Sequence, residues 1–199
     1  ERGSYDAFQD RLLFPFFDLH GNVVGFTGRL IEPKEGSPKY SNTGDTLLFT
    51  KGKHIYGLYQ AKQAIARMGF AYLVEGQMDA LSLHLVGVSN AFAGSGTAFT
   101  EEQIRTVSRF TSDIVLAYDA DSAGIKASLK HAESFLRQKF NIKCVTLPDG
   151  QDPDNIAQEM KADTAKYLVN NTVDFVTYFY NVLLGSDLDV DHKEEVLNE

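Results

Sequence analysis

A single cysteine, Cys144, stands in a chain of 199 residues. It excludes an intramolecular disulfide and a cysteine-rich zinc site within this sequence. Inside an apolar run, it reads as a small core side chain. No apolar run approaches the ~20 residues that a membrane helix needs. The opening Glu1-Arg2-Gly3-Ser4 lacks the pattern of a secretory leader, and a start without Met reads as the interior of a longer protein. The five histidines show no metal-ligand spacing, so each reads as a packing or surface residue. No segment repeats another. A reducing cytoplasm fits these absences.

What is present is ordinary in amount and uneven in placement. Apolar residues make up 43% and charged residues 23%, as in a globular protein. The length suits one large domain, or one domain with an appendage. Net charge is −8, which looks wrong for a nucleic-acid binder. Yet residues 1–67 carry nine Lys/Arg against seven Asp/Glu, and residues 68–199 carry ten against twenty. Within the first part, residues 34–67 hold a net of +4. A mildly basic strip therefore precedes an acidic body. It reads either as a solvated face or as a surface that tracks phosphates.

The patterning changes along the chain in the same way. Residues 11–31 read as a β-hairpin around His20-Gly21-Asn22, with Pro15 at an edge or a bulge. Residues 32–53 are rich in Gly, Pro, Ser and Lys and read as a long irregular stretch, of the kind that is functional or disordered. From there strands and helices alternate. Helical spacing covers 57–68, 78–86, 100–110 and 122–140, and β-prone runs cover 70–74, 89–93, 114–118 and 142–147. Thr100 with Gln103 predicts a capping box, and Ser122 a cap for the helix that follows it. This alternation is the signature of a parallel α/β sheet. Residues 153–199 read as several helices, among them 172–184, where Phe175, Tyr178 and Phe179 fall at core spacing. Expected divisions are 1–67, a β-hairpin and basic loop; 68–153, an α/β core; and 154–199, a helical appendage.

Acidic strings end three of the strands: Glu75-Gly76-Gln77-Met78-Asp79, Asp119-Ala120-Asp121, and Asp149-Gly150-Gln151-Asp152-Pro153-Asp154. Open parallel sheets bind ligands beyond the carboxyl ends of their strands, so all three sets converge on one edge. Two carboxylates about 4 Å apart repel by about 4 kcal/mol at an effective dielectric of ~20. A hard divalent cation with oxygen ligands, most often Mg²⁺, relieves that repulsion and points to phosphate chemistry. Glu75 could bind such an ion or act as a general base. Glu75 and Asp79 could also serve only as acids at a helix N-terminus. Ala93-Gly94-Ser95-Gly96-Thr97 could let backbone N–H groups approach a phosphate, or be a plain glycine turn.

Together these strings resemble the toprim domain, with a Glu after one strand and Asp-x-Asp after another. The wider set resembles the RNA polymerase domain of bacterial DnaG-type primases over residues 8–160. It comprises Leu12–Arg29, Pro38-Lys39-Tyr40-Ser41-Asn42, Lys51-Gly52 with Tyr56-Gly57-Leu58, Val74–Asp79, Gly96-Thr97, Tyr118–Gly124, and Leu147–Gly150 with Asp152-Pro153-Asp154. The resemblance implies a toprim-type parallel sheet with flanking helices, preceded by a small β-rich subdomain and followed by a helical appendage. It also implies metal-dependent nucleotidyl transfer that makes short RNA primers on a single-stranded DNA template during replication. Carried over, Glu75 and Asp79 are catalytic acids, and Glu75, Asp119, Asp121, Asp152 and Asp154 hold Mg²⁺ or Mn²⁺. Arg29, Lys39, Tyr40, Asn42 and Lys51 meet nucleotide or template. The implied partners are ribonucleoside triphosphates, the RNA primer, and a replicative helicase reached through a domain absent here. Zinc is expected only in the family's N-terminal domain, and no membrane is implied. The chain reads as a fragment of such an enzyme. The alternatives are another toprim enzyme, a nuclease or topoisomerase, or a non-catalytic interaction module.

Overall fold

The computed structural model describes residues 6–94 and 99–185. Two strands, β1 (Arg11–Phe17) and β2 (Val23–Leu30), form the expected antiparallel hairpin. Its turn is tied by the Asp18 carboxylate, which accepts the His20 and Asn22 N–H groups at 2.8 and 2.9 Å. Gly21 turns there at φ 93°, a conformation glycine adopts without a Cβ penalty. Pro15 lies on the edge strand, next to a register shift at Phe16/Phe17. The stretch expected to be irregular contains a third strand, β3 (Tyr40–Asn42), antiparallel to β2.

The second sheet has five strands: β4 (Ala71–Val74), β5 (Ala91–Ala93), β6 (Asp113–Ala117), β7 (Asn141–Val145) and β8 (Thr172–Asp174), in the order β5-β4-β6-β7-β8. The first four run parallel. Every residue of β4 is buried, as the unbroken apolar run requires of a strand covered on both faces. One face packs α2 (Gln77–Leu85), α5 (Pro153–Met160) and α6 (Thr164–Asn170) through Leu83, Ile156 and Leu168. The other packs α1 (Leu58–Met68), α3 (Glu101–Val107), α4 (Ser122–Arg137) and α7 (Phe175–Gly185) through Ile65, Val107 and Phe135, with Phe175 and Tyr178 packed against them.

Two expectations change. The helix predicted from 172 begins at 175, because Thr172-Val173-Asp174 pairs antiparallel with β7 as the sheet's last strand. The Asp174 carboxylate then accepts the Thr177 N–H at 2.9 Å. The cap of α4 is Asp121 rather than Ser122. The backbone is still extended at Asp121, whose carboxylate accepts the Gly124 N–H at 2.7 Å. The glycine turn beyond Gly94 and the acidic stretch Asp187–Glu199 lie outside the described residues.

The small sheet is joined to the large one. Phe16, Phe49 and Tyr56 share a core with Val74, Ala93 and Val115, with ring centroids 5.0 and 5.6 Å apart for Phe16–Phe49 and Phe16–Tyr56. The Tyr56 carbonyl accepts the Ala93 N–H at 3.0 Å, so the connection reaches the carboxyl end of β5. The predicted capping box forms at α3, where Thr100 and Gln103 exchange bonds of 3.0 and 3.1 Å. The same Gln103 amide donates to the Lys51 and His54 carbonyls at 3.1 and 3.0 Å, and Thr100 Oγ1 donates to the Gly52 carbonyl at 2.6 Å. Gln103→Ala takes this donor from the part-buried Lys51 and His54 carbonyls and removes half of the cap. It should lower stability by about 1–3 kcal/mol in urea titration and speed proteolytic cleavage between residues 44 and 54. Unchanged cleavage would show that the loop is held by other means.

Candidate metal and nucleotide site

Three helix N-termini meet the carboxyl edge of the parallel sheet, and each brings an acid. Asp79, in the first turn of α2, accepts the Gly76 N–H at 2.9 Å. Asp121 caps α4. Asp152 caps α5 by accepting the Asn155 N–H at 2.6 Å, with Pro153 in the first turn. Helix N-termini carry partial positive charge and unpaired N–H groups, so acids are favoured there. The reading of Asp79 as a helix-terminal acid is therefore correct as far as it goes, and it extends to Asp121 and Asp152. Neither Glu75 nor Asp119 caps a helix.

The acids form one electrostatic cluster. Burial pushes the Asp79 carboxyl up to about 7, with Asp119 and then Asp152 adding repulsion, against the Gly76 and Asp154 N–H groups that pull it down. Burial first, then Glu75, Asp152 and Asp121, push Asp119 up to about 6. Glu75 is raised by burial and by Asp121. Asp119 Oδ1 is buried with no hydrogen-bond partner. Asp154 points elsewhere: its carboxylate takes bonds from Ser82 Oγ and from Gln158 Nε2, the latter at 2.9 Å.

A hard cation fits this donor set. An orphaned, buried carboxylate oxygen among mutually repelling acids is a polar atom that calls for a positive partner. Among the described residues no three His, Cys, Asp or Glu side chains are arranged to ligate one ion by themselves. Mg²⁺ is held in that incomplete way, by one or two carboxylates with waters and substrate phosphates completing its shell.

The basic residues make a second cluster. Arg29 lies directly across from Tyr40 in the β2–β3 register, and Arg29 and Lys39 sit 5.9 and 6.0 Å from the Tyr40 ring centroid. Asn42 is exposed beside them on β3. Burial raises the Tyr56 phenol, with a smaller contribution from Tyr40, and Tyr56 pairs with Ala93 at the carboxyl end of β5. Lys51 stands apart, in the loop clamped to the start of α3, where its N–H donates to Asp45 at 3.1 Å. A cavity of about 530 Å³ lies near the opposite, amino end of the strands, lined by Phe70, Asp113, Asn141 and Lys143. The acids instead occupy an open edge.

Two contributors escaped the sequence reading. Arg11 braces the segment before Lys39 by donating to the Gly28 and Pro38 carbonyls at 2.9 and 3.0 Å. Gly124 permits α4 to start against Asp119: a Cβ there would lie 2.2 Å from the Asp119 carbonyl oxygen. Side chains tolerate no such approach.

Family comparisons agree with this geometry. A family model described as Toprim-like matches residues 72–157, and one described as DNA primase catalytic core, N-terminal domain, matches residues 1–62. The DNA primase of Clostridium acetobutylicum is 39% identical over 181 residues, which is 90% of this chain and 30% of that protein. The chain thus spans about a third of the curated relatives it matches. The crystal structure of the zinc-binding and RNA polymerase domains of Aquifex aeolicus primase superposes with a TM-score of 0.82 at 36% identity, covering 97% of this chain and 47% of that one. A DnaG primase catalytic domain bound to single-stranded DNA gives 0.77 at 33% identity, covering 90% and 57%.

Two outcomes follow from the cluster. Asp79 and Asp119 hold protons more tightly when folded than at the ordinary carboxylate value of 3.8. Between about pH 4 and 7 the folded chain therefore binds the more protons, and stability rises as pH falls through that window. Without divalent ions the melting temperature should be higher at pH 5 than at pH 8, and Asp119→Asn should raise it at pH 8. A melting temperature that climbs from pH 5 to 8 would contradict the burial of these charges. Gly124→Ala should cost about 1–3 kcal/mol in urea titration and weaken Mn²⁺ binding by displacing Asp119.

Proposed function

The chain belongs to the bacterial DnaG-type DNA primases, as part of their toprim RNA polymerase domain, and from that membership we propose that it carries the catalytic edge for RNA primer synthesis on single-stranded DNA. The observation that carries this reading is the acid cluster of Glu75, Asp79, Asp119, Asp121 and Asp152. It has one orphaned oxygen on Asp119 and shares its sheet edge with a basic, aromatic strip. A bound divalent ion supplies charge neutralisation for phosphoryl transfer. Asp119 and Glu75, free of capping duty, hold it. Asp121 and Asp152 fix the helices that shape the edge, and Asp121 also faces the ion. Asp79, buried and partly protonated near neutrality, keeps α2 and Glu75 in place. Asp154, turned to Ser82 and Gln158, joins the ion only by leaving those partners. Glu75 is also the group able to accept a proton from the attacking hydroxyl.

Arg29 and Lys39 neutralise incoming phosphates, and the Tyr40 ring offers a face on which a base stacks. Asn42 and Lys51 extend that surface along β3 and the clamped loop. The relative whose structure has single-stranded DNA bound supports the template assignment. Ribonucleoside triphosphates, the RNA primer and a replicative helicase are the partners proposed for the whole protein, at work in the cytoplasm. Zinc belongs to a region like the zinc-binding domain of the Aquifex aeolicus relative. No observation favours a nuclease, a topoisomerase or a non-catalytic module.

In the full-length protein, Glu75→Gln and Asp119→Asn should each reduce primer synthesis by at least about a hundredfold with circular dichroism unchanged. Relaxation or nicking of supercoiled plasmid in Mg²⁺ would overturn the reading. Lys39→Ala should weaken binding to all single-stranded sequences alike and reduce the salt dependence of log K by about 0.7, measured by fluorescence anisotropy. An unaltered slope would remove Lys39 from the phosphate path.

A further inference from the structure

Behind the acid cluster lies a buried polar pair that the proposed chemistry does not use. Tyr118, the residue before Asp119, is 5% exposed, and His131, in the third turn of α4, is 4% exposed. The Tyr118 hydroxyl is hydrogen-bonded to His131 Nδ1. The imidazole stands edge-on to Phe99, with centroids 5.2 Å apart, and Phe99 packs on Phe135 of the same helix. Gly94 closes the pocket: a Cβ there would lie 3.4 Å from His131 Cε1 and 3.6 Å from the Tyr118 hydroxyl. The Gly94 N–H in turn donates to the Val74 carbonyl at 2.9 Å, one residue before Glu75.

A buried polar pair amid phenylalanines is costly unless its hydrogen bond is made, and apolar residues of similar shape would fill the space equally well. Its location gives it a use. The segment from Tyr118 to Gly124 carries both Asp119 and Asp121. Its middle is held by Ala120, which exchanges bonds of 2.9 and 3.2 Å with Gln151 and Gly150. Its far end is held by the Asp121 cap on α4. The hydrogen bond to His131 ties its near end to that same helix. We propose that His131, acting through Tyr118, is a positioning residue that fixes Asp119 for divalent-ion binding. The inference rests on the metal site proposed above.

The test is calorimetric titration of the 199-residue chain with Mn²⁺, alongside melting temperatures taken without the ion. Tyr118→Phe removes one oxygen, and His131→Phe keeps a ring against Phe99 while losing the bond. Each should weaken Mn²⁺ binding about tenfold, the range seen when a supporting hydrogen bond behind a ligand is lost. Adding Tyr118→Phe to His131→Phe should cost no further affinity, since the phenol's partner is already gone. His131→Gln, which keeps a polar partner for the phenol, should restore most of the affinity. Affinity in Tyr118→Phe within about twofold of the parent, with only the melting temperature lowered, would overturn the inference and leave the pair a packing device. So would a double variant whose loss equals the product of the two single losses. If His131→Phe does not fold, Tyr118→Phe decides alone. Asp119→Asn separates the two levels. If it abolishes binding while Tyr118→Phe leaves it intact, the metal site stands and the positioning role falls. No Mn²⁺ binding by the parent chain removes both.

Discussion

The mutual repulsion of carboxylates at one sheet edge is the constraint around which the rest is arranged. Five acids share that edge, two of them pushed up to about 6 and 7 by burial and by one another. The fold opposes this strain with three helix N-termini. Asp79, Asp121 and Asp152 each satisfy backbone N–H groups that would otherwise need another partner. Helix capping and much of the cluster's negative charge are thus carried by the same side chains. Removing Asp121 or Asp152 deprives a helix of its cap as well as a site of its charge.

The basic strip depends on the same edge through a different set of bonds. Its sheet is pinned by aromatic packing of Phe16 and Tyr56 against the α/β core. Its loop is pinned by the Gln103 amide, bonded to two carbonyls about fifty residues earlier, and by Thr100 on the Gly52 carbonyl. The net charge of −8 then describes a body whose acids neighbour a positive track. Arg29 and Lys39 flank the Tyr40 ring, which is where the proposed function would bring an incoming phosphate.

How much of this was legible in the sequence depended on the range of the interaction. The alternation of β4, β6 and β7 with helices is written in local periodicity, as is the capping box of Thr100 and Gln103. The convergence of Glu75, Asp119 and Asp152 followed from parallel topology alone. Strand β8 was hidden because three residues next to a helical period carry too little pattern. Ser122 reads as the cap of α4 because serine is a strong capping residue, and the extended backbone at Asp121 moves the cap one residue earlier. Arg11, Gln103 and Gly124 act on backbone atoms brought near by folding. Backbone leaves no mark on the sequence pattern, so their roles became readable only in three dimensions.

The raised carboxyls have one further consequence. Asp79 and Asp119 are partly protonated near neutrality, so a divalent ion that settles on this edge must expel protons to do so. Ion uptake is therefore also acid release. In a lightly buffered solution the ion's apparent affinity grows as the medium becomes more alkaline, and the heat recorded on binding varies with the ionisation enthalpy of the buffer that collects the protons.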